Sequence, residues 1–257
     1  MKISRRAFLK VLASAGLVAT PQAARLISAW GSQDGEGRQE PKRRWVMIID
    51  LARCDGCKAC TRACQAEHFV PFQQEWIRVL EMRNNPYDRY NFPLPCQHCE
   101  FAPCVKVCPV GATYHNEEGI VLVDHMRCIG CRFCMAACPY GVRFFNWVEP
   151  PHTPAEQFVQ YSPEYPVPHR KGTVEKCMFC AHRVKMGRLP ACVEACGKAG
   201  MYAIYFGDAN ENIVTNGREV VKLTDLLGQG RGFRYKEELG THPRVYYLLP
   251  ERGQIKA

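Results

Sequence analysis

The sequence predicts an α+β fold in which two modules of similar build are combined, one inserted in the other, with loop extensions. Three observations point to it. Sixteen cysteines fall into four groups of four, and none is left over. A pattern of strand, cysteine loop, short helix and strand recurs along the chain as an internal repeat. The spacing within the groups also predicts that neighbouring groups exchange cysteines, so the groups must lie in pairs.

The cysteines form four compact runs, which we number in chain order. Group I is Cys54, Cys57, Cys60 and Cys64; group II is Cys96, Cys99, Cys104 and Cys108; group III is Cys128, Cys131, Cys134 and Cys138; group IV is Cys177, Cys180, Cys192 and Cys196. Four thiolates bind one iron-sulfur cubane. The sequence therefore predicts four [4Fe-4S] clusters, with iron held by all sixteen cysteines.

The spacing of each group can be compared with the ferredoxin run C-x2-C-x2-C-x3-C-P, whose last cysteine binds a neighbouring cluster. Group III matches at every position and closes on Pro139. Group II has two extra residues before its third cysteine and closes on Pro109. Group I keeps the spacing but is followed by Gln65, and group IV has the spacing C-x2-C-x11-C-x3-C and is followed by Gly197.

The spacing alone establishes only that each fourth cysteine goes to another group. Groups II and III are neighbours in the chain and fit one bacterial-type two-cluster ferredoxin module, which leaves groups I and IV to pair with each other. The predicted ligand sets are site 1, Cys54, Cys57, Cys60 and Cys196; site 2, Cys64, Cys177, Cys180 and Cys192; site 3, Cys96, Cys99, Cys104 and Cys138; and site 4, Cys108, Cys128, Cys131 and Cys134.

This pairing divides the chain into modules and extensions. The predicted segments are a signal peptide (1–30), a polar linker (31–44), module A with groups I and IV (45–92 and 170–206), module B with groups II and III (93–147), a proline-rich loop (148–169) and a C-terminal extension (207–257). Predicted strands cover Trp45–Asp50, 76–82, 112–115, 120–124, 142–147, 201–206 and 244–249, with a short helix over 219–227.

Zinc knots and disulfides are the alternatives for so many cysteines. Group IV alone resembles a zinc ribbon. Groups I to III do not, because each places four thiols within 11 to 13 residues. Disulfides are a stronger alternative if the chain is exported, since oxidising compartments favour them.

The N-terminus has the layout of a twin-arginine signal. Arg5 and Arg6 lie within Ser-Arg-Arg-Ala-Phe-Leu-Lys, and a short apolar stretch follows. Twin-arginine transport carries folded, cofactor-loaded proteins, so clusters would be inserted before export by the Tat translocase. Ala23, Ala24 and Ala29 are small residues suited to cleavage, and retention of the signal as an anchor is the alternative.

The net charge of +9 does not indicate a nucleic-acid partner. Five positive charges lie in or near the signal, which leaves about +4, and four oxidised cubanes add about −8. No apolar stretch approaches the roughly 20 residues of a membrane span. A partner subunit must therefore bring the protein to a membrane.

Several residues beside the cysteines have two interpretations. Lys58, Arg132 and Lys176 are interpreted as solvated surface charges rather than charges that tune a cluster. His98 and His182 are interpreted as packing residues rather than ligands, because thiolates already fill every site. Four aromatic residues are expected to shield the clusters from water: Phe101, Phe133, Tyr140 and Phe179.

A family resemblance rests on the cysteine groups and on four further segments: Ala102-Pro103-Cys104, Glu118-Gly119-Ile120-Val121, Cys128 to Tyr140, and Glu175-Lys176-Cys177. Over roughly residues 45–206, the chain resembles the four-cluster, ferredoxin-like (beta) iron-sulfur subunits of the dimethyl sulfoxide reductase superfamily. It is most similar to the Tat-exported ones, as in polysulfide and tetrathionate reductases.

This resemblance implies an electron-transfer subunit with no catalysis of its own. Its expected partners in an anaerobic-respiration complex are a multi-helix membrane subunit that handles quinone and a catalytic molybdopterin subunit. Site 1 is expected to face the catalytic subunit and site 4 the membrane subunit. The protein would be periplasmic, held at the cytoplasmic membrane through its partners. Some relatives lack one cysteine of group III and hold a three-iron cluster there, but this chain keeps all four.

The sequence is also compatible with two other functions. A similar subunit serves a membrane complex of dissimilatory sulfur metabolism, associated with sulfite reduction, with cytochromes and without a molybdopterin partner. The other rival is a free periplasmic ferredoxin.

Overall fold

A computed structural model describes residues 43–71, 73–85, 88–228 and 232–249. The predicted signal with Arg5 and Arg6, and most of the predicted linker, lie outside these residues. Within the described ranges, no helix has both the length and the apolar character needed to cross a membrane.

Short helices and strands alternate along the chain, which confirms the α+β class. The strands are β1 (Trp45–Asp50), β2 (Arg78–Asn85), β3 (Asp88–Leu94), β4 (Thr113–His115), β5 (Val121–Val123), β6 (Phe144–Phe145), β7 (Val174–Glu175), β8 (Ile204–Asp208), β9 (Ile213–Thr215), β10 (Val220–Lys222), β11 (Gly232–Phe233) and β12 (Val245–Leu248). The α-helices are α1 (Ala59–His68), α2 (Pro103–Lys106), α3 (Phe133–Ala136), α4 (Ala181–Lys185), α5 (Ala191–Lys198) and α6 (Leu223–Leu227), and 3₁₀ turns cover Pro154–Phe158 and Glu237–Leu239.

A six-stranded sheet with the order β10-β9-β8-β1-β12-β11 forms one layer. Strand β1 is antiparallel to β8 and parallel to β12. Alternate side chains of β1 point to opposite faces of the sheet. Met47 and Ile49 face the core that contains the buried cysteines, while Val46 and Ile48 pack with Leu223 of α6 on the other face.

The remaining strands form two-stranded ribbons, β2 with β3, β4 with β5, and β6 with β7. The Asn116 side chain holds the turn between β4 and β5, because it accepts hydrogen bonds from the backbone N–H groups of Glu118 (3.1 Å) and Ile120 (2.8 Å). Among the helices, α1 packs against α5 and α2 against α3. These two contacts bring group I to group IV and group II to group III.

Strand β1 was predicted to the residue, whereas the bounds of the other predicted strands differ by up to three residues at an end, β3 and β9 were not predicted, and two elements differ more strongly. The helix expected over 219–227 begins only at Leu223, because Val220–Lys222 pairs with β9 as an edge strand. The Asn212 side chain accepts from Thr224 N–H at 2.9 Å and so caps the shorter helix. The strand expected over 142–147 is limited to Phe144–Phe145, which pairs with Val174–Glu175.

Candidate iron-sulfur centres

The last two cysteines of every group are four residues apart at a short helix. Helix α1 carries Cys60 and Cys64, and α5 carries Cys192 and Cys196. In groups II and III the third cysteine lies in the helix and the fourth lies just beyond its end. Residues four apart share one helix face, so each fourth cysteine sits one turn further along, toward the neighbouring helix.

The loops before the four helices share one feature of backbone conformation. The residue immediately before the second cysteine has a positive φ: Gly56 (80°), His98 (43°), Gly130 (70°) and Phe179 (53°). Left-handed residues in such loops turn successive N–H groups into a concavity that suits an anion or an iron-sulfur cluster. At the two non-glycine positions, the rings of His98 and Phe179 pack against each other at a tilt of 30°, with centroids 3.8 Å apart. Buried packing therefore holds a conformation that those residues rarely adopt.

Two cavities are lined by cysteines in the combinations predicted for sites 1 and 4. The lining of one includes Cys54, Cys57, Cys60 and Cys196. The lining of the other includes Cys108, Cys128, Cys131 and Cys134. In each cavity, three cysteines come from one group and the fourth comes from its partner group.

The site 2 and site 3 cysteines are identified by their electrostatic neighbours. Burial raises the pKa of Cys64 well above its usual value, and the next causes are Cys177, Cys180 and Cys192. Burial likewise raises the pKa of Cys99 to about 12, with contributions from the other cysteines of site 3. Iron would therefore have to displace protons from most of these thiols on binding.

Electrostatic influences between the predicted sites indicate their order. Cys60 of site 1 contributes to the raised pKa of Cys64 and Cys192 of site 2, and Cys96 of site 3 contributes to that of Cys177 of site 2. Arg143 acts on the pKa of Cys104 of site 3 and of Cys134 of site 4. These influences support the order 1, 2, 3 and 4.

Backbone N–H groups point at two of the fourth cysteines. Ala203 N–H donates to Cys196 Sγ at 3.2 Å, and Thr113 N–H donates to Cys108 Sγ at 3.4 Å. Burial raises the pKa of Cys108, but the backbone N–H groups around it outweigh burial and lower the pKa overall. Such donors stabilise negative charge on sulfur, as a thiolate ligand requires.

Two buried cations give an independent test of whether these sites fit an anionic cluster. Arg143 is 5% exposed and Lys176 is 2% exposed. Cysteines are the strongest electrostatic partners of Arg143, and the strongest one of Lys176 is Cys96. Buried cations require facing negative charge. Thiolates around iron supply it, so the residues present fit a cluster.

The burial of Lys176 corrects the interpretation of that residue as a surface charge. Its Nζ donates to the carbonyl oxygens of Val121 and Cys177, which hold it inside the protein. Lys58 and Arg132 are exposed, as expected. Phe101 and Phe133 were expected to shield clusters, but they are 49% and 59% exposed.

Four other residues beside the cysteines have packing or hydrogen-bonding partners. Tyr140 and Phe179 are buried in the core that contains the cysteines. His98 is buried and accepts from Val121 N–H at 3.2 Å. His182 interacts with Glu67 at 2.9 Å.

Sequence reasoning missed His68, whose Nε2 lies 3.1 Å from Cys180 Sγ. The signal was present: His68 follows Cys60 and Cys64 at the same interval of four residues and so shares their helix face. Burial lowers the pKa of His68 well below its usual value, so the imidazole is neutral. A neutral ring can donate a hydrogen bond to sulfur while adding no charge.

The described residues do not bring three Cys, His, Asp or Glu side chains to one point that would hold a single metal ion. Zinc at about 2.3 Å from each sulfur needs such convergence. A four-iron cage keeps its thiolates further apart.

The loop that leads into group IV contains a buried ion pair. His169 Nδ1 lies 2.6 Å from Glu175 Oε1, and its Nε2 donates to the His68 carbonyl at 2.7 Å. Burial lowers the pKa of His169, but the interactions with Glu175 outweigh burial and raise the pKa overall. The charged pair therefore contributes stability that is complete below the unfolded pKa of about 6.5 and is lost as pH rises through the folded value.

We accordingly expect the thermal unfolding midpoint to fall as pH increases above about 6.5. In a His169→Gln variant this part of the pH dependence should disappear, because glutamine does not titrate. Differential scanning fluorimetry of both iron-loaded proteins between pH 6 and 9 measures it. An identical slope in the two proteins would contradict the assignment.

Comparisons with known proteins agree with this chemistry. A family described as "4Fe-4S dicluster domain" matches residues 87–153 and 155–208. A selenate reductase subunit of Mesobacillus selenatarsenatis is 41% identical over 80% of this chain and 72% of its own length. A tetrathionate reductase subunit of Salmonella typhimurium is 36% identical over 96% of this chain and 89% of its own. The Hdr-like menaquinol oxidoreductase iron-sulfur subunit 1 of Archaeoglobus fulgidus is 39% identical over 95% of this chain and 97% of its own.

Proposed function

The chain belongs to the iron-sulfur subunits of dimethyl sulfoxide reductase-family complexes, and we propose that it relays electrons through four [4Fe-4S] clusters between a membrane quinone-handling subunit and a catalytic molybdopterin subunit. It has a ferredoxin-like dicluster domain of mixed helices and strands, and it is an electron-transfer subunit. The observation that best supports the proposal is that two cavities are each lined by three cysteines of one group and one cysteine of its partner group.

The two-module arrangement forms part of this proposal. Pairing of β1 with β8 supports it, because these strands lie before group I and after group IV and so close module A around module B. The packing of α1 on α5 and of α2 on α3 supports it as well. Each module would hold two clusters that share crossed ligands.

When bound, each cluster accepts and passes on one electron. The chain's own residues do the rest: buried thiols fix the four positions, and core side chains such as Tyr140 and Phe179 exclude water. Backbone N–H groups near Cys108 and Cys196 favour charge on sulfur. No catalytic role is proposed for this subunit alone.

The surfaces around the two end sites differ in chemistry, which supports different partners. Around site 4, exposed apolar side chains outnumber the exposed charged ones, Lys106, Arg127 and Arg132; the apolar ones are Val107, Val110, Met126, Ile129, Phe133 and Trp147. Around site 1, exposed charged side chains predominate: Arg53, Asp55, Lys58 and Arg62. An apolar rim suits a membrane subunit and a charged rim suits a water-soluble catalytic subunit. We therefore propose that site 4 faces the membrane partner and site 1 the catalytic one.

Export through the Tat translocase, and a periplasmic location at the cytoplasmic membrane, complete the proposal. They rest on the Arg5-Arg6 motif of the sequence. An Arg5→Lys, Arg6→Lys double variant should accumulate on the cytoplasmic side, which fractionation of the native host would detect.

Affinity purification of the tagged chain from native membranes tests the partners. We expect a multi-helix membrane subunit and a molybdopterin subunit to copurify. Ile129→Glu should reduce recovery of the membrane subunit at least tenfold, since a buried charge in an apolar contact is costly. Lys58→Glu is the matched control and should affect only the catalytic subunit. Full retention of both partners by both variants, with iron content intact, would refute the orientation.

The second candidate is a menaquinol-linked complex with cytochromes and no molybdopterin partner. One observation favours it: the similarity to the Archaeoglobus fulgidus subunit extends over nearly the full length of both chains. The same purification separates the candidates. Haem absorption without molybdenum in the purified complex would select this one.

A further inference from the structure

Arg143 is a buried cation between two of the cysteine sites. Only 5% of its surface is exposed, and its Nη1 donates to Thr113 Oγ1 at 3.4 Å. Thr113 lines the site 4 cavity, and its N–H donates to Cys108 Sγ at 3.4 Å. Nη2 of Arg143 is buried and has no hydrogen-bond partner among the described residues, and the nearest opposing charges would come from Cys104 of site 3 and Cys134 of site 4. One buried side chain therefore lies close to ligands of two adjacent sites.

The charges that face Arg143 are unusual for a buried arginine. Its strongest electrostatic partners are four cysteines from sites 3 and 4: Cys104, Cys134, Cys96 and Cys138. Arg183, which is buried to the same degree, instead contacts Glu67 and Glu194, each at 2.6 Å. Removal of a buried cation's counter-charge is strongly unfavourable. The position of Arg143 thus depends on negative charge at both sites.

We propose that Arg143 sets the reduction potentials of the clusters at sites 3 and 4 together, holding both above the values they would have without it. This inference rests on the proposed four-cluster function. Arg143 acts through the cluster ligands and is a positioning residue for charge rather than a catalytic one.

The direction follows from charge. Reduction adds one electron to a cluster and so makes it more negative, and a fixed positive charge nearby stabilises that product. The guanidinium remains protonated at every accessible pH, so its charge does not vary. Because it lies between the two sites, its loss must lower both potentials, whereas sites 1 and 2 have no contact with it among the interactions described above.

Redox titration of the purified, iron-loaded protein tests this. Dithionite supplies the electrons through mediators, and EPR spectroscopy follows each centre. In Arg143→Gln we expect two of four centres to lose at least tenfold in their equilibrium constant for one-electron reduction, which is a fall of about 59 mV. The reduction potentials of the other two centres should not change. Arg143→Lys keeps the charge and should retain most of both potentials.

Arg234→Gln is the matched control, because Arg234 is partly buried against Tyr246 and its main electrostatic partners include no cysteine. This variant should leave the reduction potentials of all four centres unchanged. Unchanged potentials in iron-replete Arg143→Gln, or equal shifts in all four centres, would overturn the inference. If that variant fails to load iron, Arg143→Lys and the neutral Arg143→Met decide: retained loading in the first alone supports the role of charge, and equal loss in both refutes it. A wild-type protein without four reducible centres would refute the proposed function instead.

Discussion

Replacement of Cys64 by alanine is expected to remove the cluster bound by Cys177, Cys180 and Cys192, although Cys64 belongs to group I in the sequence. Cys64 lies on α1, which packs against α5. After burial, the largest contributions to its raised pKa come from those three thiols. We expect a loss of about four of about sixteen irons. Iron analysis and EPR spectroscopy of the purified variant measure it.

Double variants identify the set to which Cys64 belongs. A Cys64→Ala, Cys192→Ala variant should lose no more iron than either single variant, because both cysteines would serve one cluster. A Cys64→Ala, Cys57→Ala variant should lose about eight irons, because two clusters would be affected. The opposite pattern would show that group I keeps its own fourth cysteine, and it would end the crossed arrangement.

Gly130→Ala is expected to lose the site 4 cluster and to destabilise the protein by roughly 2–5 kcal/mol. Gly130 has φ of 70°, and a Cβ there would lie 2.5 Å from the Gly172 carbonyl oxygen and 3.3 Å from Phe145. Because the nearest atom belongs to the backbone, it cannot simply rotate away. The loop between Cys128 and Cys131 would have to move.

Gly172→Ala is the matched control at the other end of the same contact. Its φ is 78°, but a Cβ there meets nothing within 4 Å. Only the conformational cost applies, about 1–2 kcal/mol. Thermal unfolding and iron content of both variants measure the difference. Similar losses in the two would show that the contact with Gly172 does not shape the loop.

The sequence predicted the features that depend on local geometry. Cysteine spacing reflects how a short loop and one helical turn place thiols, so the groups and their crossed sets could be inferred without tertiary information. Strand β1 was also found, since a short continuous apolar run is a local signal of a strand buried on both faces.

Features that depend on distant contacts were not predictable. Lys176 is next to a cysteine in the sequence. Its ammonium group is held inside the protein by a hydrogen bond to the carbonyl oxygen of Val121, which is 55 residues away in the chain. Arg143 has no spacing that marks it, because its position between sites arises from the packing of α2 on α3. The exposure of Phe133 likewise depends on the tertiary structure, because no distant segment of the described chain packs over its side chain. Residues 220–222 form a strand because they pair with the edge strand β9, which is a tertiary contact.

The most direct test of four cubanes in this chain is the content of iron and acid-labile sulfide in protein purified anaerobically from its native host. The account predicts about sixteen irons and about sixteen sulfides per chain, with broad absorption near 400 nm. Colourless protein with about four zinc ions, or with its cysteines joined in disulfides, would contradict it.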